Sequence, residues 1–161
     1  MIVAFTGWRG WTDDLFIQQR IDERWGHQLL FGARNDDLVF RVGDAKGADA
    51  LVVAHLRQAG VEPIIYVANW DAEGKPAGPI RNRRMLLGLD PHDPQQMKPA
   101  DLLVAFPEPG QSKPIRGSGT WNAIEQAHWR GIEVNIPGYR TPLIDRAEVA
   151  EFYHLTIGAQ S

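Results

Sequence analysis

Apolar residues recur along the chain in five short runs, at 2–6, 38–42, 63–67, 102–106 and 133–136, and polar stretches with a helical repeat separate them. Short, largely apolar runs of four or five residues fit strands buried in a parallel sheet. Residues 13–25 set Leu15, Ile17, Ile21 and Trp25 at near-helical spacing, with Thr12 or Asp13 available as N-cap. Residues 47–59 carry Ala50, Leu51, Val53, Ala54 and Leu56, and Gly60 follows as a helix-ending glycine. Two more helices are predicted over 79–89, with Pro79 tolerated in the first turn, and over 120–130, closed by Gly131. Strand and helix therefore alternate. The expected product is an α/β fold of three layers, a parallel sheet of about five or more strands joined by right-handed crossovers, with helices on both faces. Residues 137–161 leave the alternation, although 145–155 can form a short helix. The expectation is one domain over 1–136 with a C-terminal extension, 137–161, packed on it.

Composition narrows the function classes. The chain has 161 residues and 43% hydrophobic content, enough for one sizeable core. A formal net charge of -3 argues against a dedicated duplex-DNA binder, whose affinity rests on neutralising phosphates. The absence of cysteine excludes disulfides, thiol catalysis and cysteine-held zinc. The histidines, His27, His55, His92, His128 and His154, lack metal-ligand spacing, so no metal is expected, and no cofactor either. No apolar run has the length of a membrane span and the N-terminus has no basic lead; a cytoplasmic protein without membrane contact is expected.

Candidate chemistry gathers in three glycine-rich turns, each between an expected strand and an expected helix: Thr6-Gly7-Trp8-Arg9-Gly10, Gly43-Asp44-Ala45-Lys46-Gly47-Ala48-Asp49 and Gly117-Ser118-Gly119-Thr120. Such turns bring backbone amides to a helix N-terminus, where the dipole favours an anion, phosphate above all. In a parallel sheet all three lie at the carboxyl ends of the strands, where ligands of such folds bind. Gly43 permits a close turn and Gly47 lets backbone approach a ligand. Asp49 can accept bonds from ribose hydroxyls, or merely complement the helix dipole. Lys46 is a phosphate contact or a solvated turn lysine, and Asp44 a turn residue or a functional one. Ser118 and Thr120 supply hydroxyls to a phosphate nest, or cap the helix.

The segment 69–86, NWDAEGKPAGPIRNRRML, is a long Gly/Pro loop running into a helix with Arg81, Arg83 and Arg84 in its first turns. Cations disfavour a helix N-terminus and repel one another, so something anionic is expected to compensate. Arg81 and Asn82 are the candidates to fork onto a phosphate or ribose. Arg83 and Arg84 point elsewhere, at least one to the surface or an oligomer contact. Trp70 either stacks on a base or caps the sheet. The loop 107–116 is too long for a plain connection and carries Lys113 and Arg116.

The motifs GDAKGADAL (43–51), WDAEGKPAGPIRNRRML (70–86), DLLVAF (101–106) and GSGT (117–120) with GIEV (131–134) together resemble the YspA-like family, within the SLOG superfamily of Rossmann-like proteins. That superfamily also holds the LOG phosphoribohydrolases (lysine decarboxylase-like proteins) and the DNA-processing protein DprA. The resemblance covers about 2–136, and its AGPIRN run is the specific part. It implies a nucleotide-derived ligand at the strand ends, often in a homo-oligomer. LOG-type enzymes carry a glutamate three residues after the threonine of their glycine motif; here that position is Ala123, and the PGG lead is missing. LOG activity is therefore not carried over.

Three functions are consistent with these residues. The favoured one is binding of a nucleotide or nucleotide-derived phosphorylated small molecule, as a sensor or sequestering module, through Gly7, Arg9, Gly43, Lys46, Gly47, Asp49, Trp70, Arg81, Asn82, Gly117, Ser118, Gly119 and Thr120. The second is hydrolysis of an N-glycosidic bond, with Arg81 and Asp49 as catalytic candidates. The third is DprA-like binding of single-stranded nucleic acid through the basic residues with Trp70 as a stacking platform.

Overall fold

The computed structural model describes residues 1–31 and 38–138. Its strands are β1 (Ile2–Gly7), β2 (Val39–Gly43), β3 (Ile64–Tyr66), β4 (Leu102–Phe106) and β5 (Glu133–Asn135). Its helices are α1 (Asp14–Leu30), α2 (Ala48–Gln58), α3 (Trp70–Glu73), α4 (Ala77–Leu87) and α5 (Gly119–Trp129). All the strands pair in parallel, in the order β3-β2-β1-β4-β5. With α1 and α2 on one face and α4 and α5 on the other, this is a three-layer Rossmann-like α/β fold. The expected extension over 137–161, including the helix expected over 145–155, falls outside the described residues from 139 onward.

The central strands β1, β2 and β4 are buried at every position, which is why they read as largely apolar runs, with Arg41 of β2 the exception in charge. Val3, Phe5 and Val42 face α1 and α2, where they meet Ile17, Ile21, Trp25, Val52 and Leu56. Ala4, Leu103 and Ala105 face α4 and α5, against Met85, Leu86, Trp121 and Ile124. Helix α1 runs to Leu30, beyond the expected end at 25, because Leu29 prolongs the stripe of Ile17, Ile21 and Trp25. Leu15, expected on that stripe, is 64% exposed. Asp13 is the N-cap, accepting from the Phe16 amide. Helix α4 begins two residues before the expected start. Part of the expected 69–76 loop is the helical turn α3, which Asn69 caps by accepting from the Ala72 amide. No helix among the described residues is long and apolar enough to cross a membrane.

Composition and periodicity did not signal one core feature. Arg41, in the middle of β2, is fully buried and donates from Nε to Asp93 Oδ2 at 2.6 Å. Its Nη1 and Nη2 donate to the carbonyls of Met85 and Gln95 at 3.2 and 3.0 Å. The Tyr66 hydroxyl donates to the same carboxylate oxygen at 2.6 Å. Burial pushes the Asp93 carboxyl up, but the bonds from Tyr66, the Gln95 amide and Arg41 outweigh it and hold it below the usual range. Asp93 thus ties the 88–100 connection to β2. Removing one partner of a buried, hydrogen-bonded ion pair leaves the other charge uncompensated, at about 3–5 kcal/mol. Asp93→Ala is expected to lower stability by about that amount, read from urea midpoints at unchanged m-value.

Candidate functional site

The chain crosses from one half of the sheet to the other between β1 and β4, and a cleft of about 1160 Å³ opens beyond their carboxyl ends. Trp8 and Arg9 follow β1 on its wall, Asp49 comes from α2, and Trp70, Lys75 and Arg81 from the α3–α4 region. Opposite stand Gln111 and Arg116 of the β4–α5 connection and the first turns of α5, residues 117–122 with Glu125. This is the crevice at the strand reversal where open α/β sheets bind ligands.

The three glycine turns meet at this edge but do different work. A Cβ on Gly7 would overlap the Ala48 side chain, so the glycine lets α2 pack directly on β1. The Trp8 carbonyl accepts the Ala48 amide at 3.1 Å. Gly47 has φ 72°, and a Cβ there would run into the Arg9 carbonyl. The backbone that approaches Gly47 is thus that of the first turn, where a ligand had been expected. Helix α2 begins against protein, its first amide already used.

Helix α5 begins differently. Ser118 is its N-cap: the hydroxyl accepts from the Trp121 amide at 3.3 Å and the carbonyl from the Asn122 amide at 2.9 Å. The amides of Gly119 and Thr120, at the first two helical positions, find no hydrogen-bond acceptor among the described residues. A Cβ on Gly119 would meet nothing within 4 Å. Two donors and the positive end of an 11-residue helix therefore face open cleft.

Behind them lies a buried cluster. Arg81 Nη1 donates to Asp44 Oδ1 at 2.6 Å and stands 4.0 Å from Asp49 Oδ2. Asp44 Oδ2 accepts the Ala68 amide at 3.2 Å, tying the second turn to the end of β3. Asp49 is 2% exposed; its Oδ2 accepts the Ala45 amide at 3.1 Å, and its Oδ1 has no donor. Gly43 makes room for this cluster, since a Cβ there would lie 2.5 Å from Asp49 Oδ2 and 2.7 Å from Arg81 Nη1. Burial pushes the Asp49 carboxyl up to about 7, against the opposing pull of Arg81 and the Ala45 amide. The anions expected to compensate the arginines are thus the protein's own. Arg84 likewise reaches Asp90 at 3.4 Å and the Val67 carbonyl at 3.1 Å.

Of the residues expected at the site, Gly7, Arg9, Asp49, Trp70, Arg81, Gly117, Ser118, Gly119 and Thr120 line the cleft. Gly43, Lys46, Gly47 and Asn82 do not. Gly43 and Gly47 sit behind the wall for the packing reasons above, and Lys46 is exposed. Asn82 is buried and structural: its Nδ2 donates to the Gly119 carbonyl and to Asn122 Oδ1, each at 3.1 Å, binding α4 to α5. Sequence reading missed Trp8 and Gln111. Gln111 accepts from the Trp121 indole at 2.9 Å and pins the β4–α5 connection over the cleft; the unusual length of that connection was its only signal. Glu125 lines the cleft, whereas Ala123 faces the core.

No family model, curated protein or solved structure matches the chain. The likeness to the YspA-like family stands on the quoted motifs alone. Among the described residues no group of three or more acidic or histidine side chains could hold a metal ion.

Asp49 makes stability depend on pH. Its carboxyl moves from an ordinary 3.8 to about 7 on folding, so its contribution is complete below the lower value and is lost as pH rises through the upper one. Asp49→Asn removes the charge. Its melting temperature is expected to exceed that of the wild type at about pH 8, by the equivalent of roughly a few kcal/mol, with the gap closing toward about pH 5. Melts of both proteins across that range check this.

Proposed function

We propose that the cleft binds a nucleotide or another nucleotide-derived phosphorylated small molecule, with a phosphate seated on the start of α5. The observation that carries this reading is the pair of acceptor-free amides of Gly119 and Thr120, on a capped helix start facing the cleft. Lys75, Arg116 and Arg9 line the same cleft and add positive charge to it. The YspA-like resemblance supports the same ligand class, and membership of that family is part of the proposal. Arg81 acts from behind, its charge held by Asp44, as a support of the wall.

A second reading, cleavage of an N-glycosidic bond, is favoured by one observation. Asp49 is a buried carboxyl that titrates near neutrality 4.0 Å from a guanidinium, a condition suited to proton transfer. It requires release of free base by the purified protein, abolished in Asp49→Asn.

Thermal shift and calorimetry with nucleoside monophosphates test the first reading. A ligand at about 100 times its Kd is expected to add about 2.7 kcal/mol of stability. A Cβ on Gly119 meets nothing within 4 Å, so Gly119→Val adds bulk at the start of α5 without a clash at that atom. It is expected to melt like the wild type while losing at least about tenfold in affinity; a Gly119→Val protein that binds normally removes α5 from the site.

A further inference from the structure

Tryptophans stand half-exposed at three places in the described chain: Trp8 at 37%, Trp70 at 47% and Trp129 at 54%. Exposure alone says little, since single apolar residues are common on protein surfaces. Trp129 ends α5 and takes no part in the cleft. Trp8 and Trp70 come from distant parts of the sequence and converge on its mouth.

Each is held in place. The Trp8 amide donates to the Phe106 carbonyl at 2.8 Å, and its own carbonyl accepts from Ala48, so the residue cannot retreat into the fold. Its indole lies on Gly10, where a Cβ would overlap the ring. Trp70 opens the short helix capped by Asn69, and its ring edge lies 3.4 Å from the position of a Cβ on Gly78, at the start of α4. The Arg9 guanidinium stands over the Trp70 ring, 5.5 Å from its centroid, and has no carboxylate within ion-pair distance among the described residues. Across the opening is Ile115, 43% exposed. Two indoles seated on glycines, a guanidinium over one of them and the exposed Ile115 thus line one cleft with aromatic and apolar surface.

We infer that Trp8 and Trp70, with Arg9, form a subsite for a planar aromatic group, the base of the bound nucleotide. The inference rests on the phosphate reading and divides the ligand: phosphate on Gly119 and Thr120, base on the indoles. A stacking surface of this kind is tolerant of base identity, because every base has a π face. Arg9 adds affinity for a polarisable ring over that of the indoles alone.

Calorimetry and tryptophan emission, with AMP, GMP, CMP and UMP each compared against ribose 5-phosphate, test it. The best nucleotide is expected to bind at least about tenfold more tightly than ribose 5-phosphate and to quench emission. Trp8→Ala and Trp70→Ala, both at exposed positions, are each expected to lose most of that advantage while ribose 5-phosphate affinity stays within about twofold. Equal binding of ribose 5-phosphate and all four nucleotides in the wild type overturns the base subsite and leaves the phosphate reading standing. So does an advantage that persists in both variants. If neither the nucleotides nor ribose 5-phosphate bind, the phosphate reading itself fails and the subsite falls with it.

Discussion

The direct contact between the backbone after β1 and the start of α2 governs the ligand edge of this protein. Gly7 lies against Ala48, the Trp8 carbonyl takes the Ala48 amide, and Gly47 lies against the carbonyls of Trp8 and Arg9. Close approach of this kind tolerates no Cβ at Gly7 or Gly47. It also uses the first amide of α2, that of Ala48, which is thereby closed to an anion. The same hydrogen bonds anchor Trp8 by both its amide and its carbonyl, which leaves its indole at the mouth of the cleft.

Two buried arginines show how this fold divides structural from functional polarity. Arg41 has a carboxylate and two carbonyls around it, and its carboxylate is served in turn by Tyr66 and the Gln95 amide. Buried charges satisfied to that degree rigidify a core and offer nothing to a ligand. Arg81 is held by Asp44, but the second carboxylate beside it, Asp49, keeps one oxygen without a donor. Burial is the main reason that the Asp49 carboxyl binds its proton more tightly, and the Asp44 carboxylate nearby adds a smaller push in the same direction.

Much of the scaffold could be read in the chain. The strands buried on both faces announce themselves as largely apolar runs, two of the helices are closed by Gly60 and Gly131, and strict alternation leaves little choice but a parallel sheet. The glycine turns were legible as a set, because each falls between a strand and a helix. Their individual roles were not: glycine marks close approach without saying what approaches, and at Gly7 and Gly47 it is the protein's own backbone. Asn82 was placed by its nearness to a helix start, which says nothing of the direction a side chain takes; the partners of its Nδ2 lie 37 and 40 residues away. Lys46 is exposed, in keeping with the solvated turn lysine that the sequence also allowed.

By itself the sequence determined the order of the strands and the main helices, the layers and the edge of the sheet at which the glycine turns gather, because these follow from local periodicity and the handedness of crossovers. Only the tertiary structure decided which helix start remained open, which carboxylate held Arg81 and which tryptophans shared one opening. Those outcomes depend on contacts between segments far apart in the chain, such as Arg81 with Asp44, Ala48 with Trp8 and Asn82 with Gly119. Such contacts leave no periodic trace in a single sequence, and packing alone brings them together.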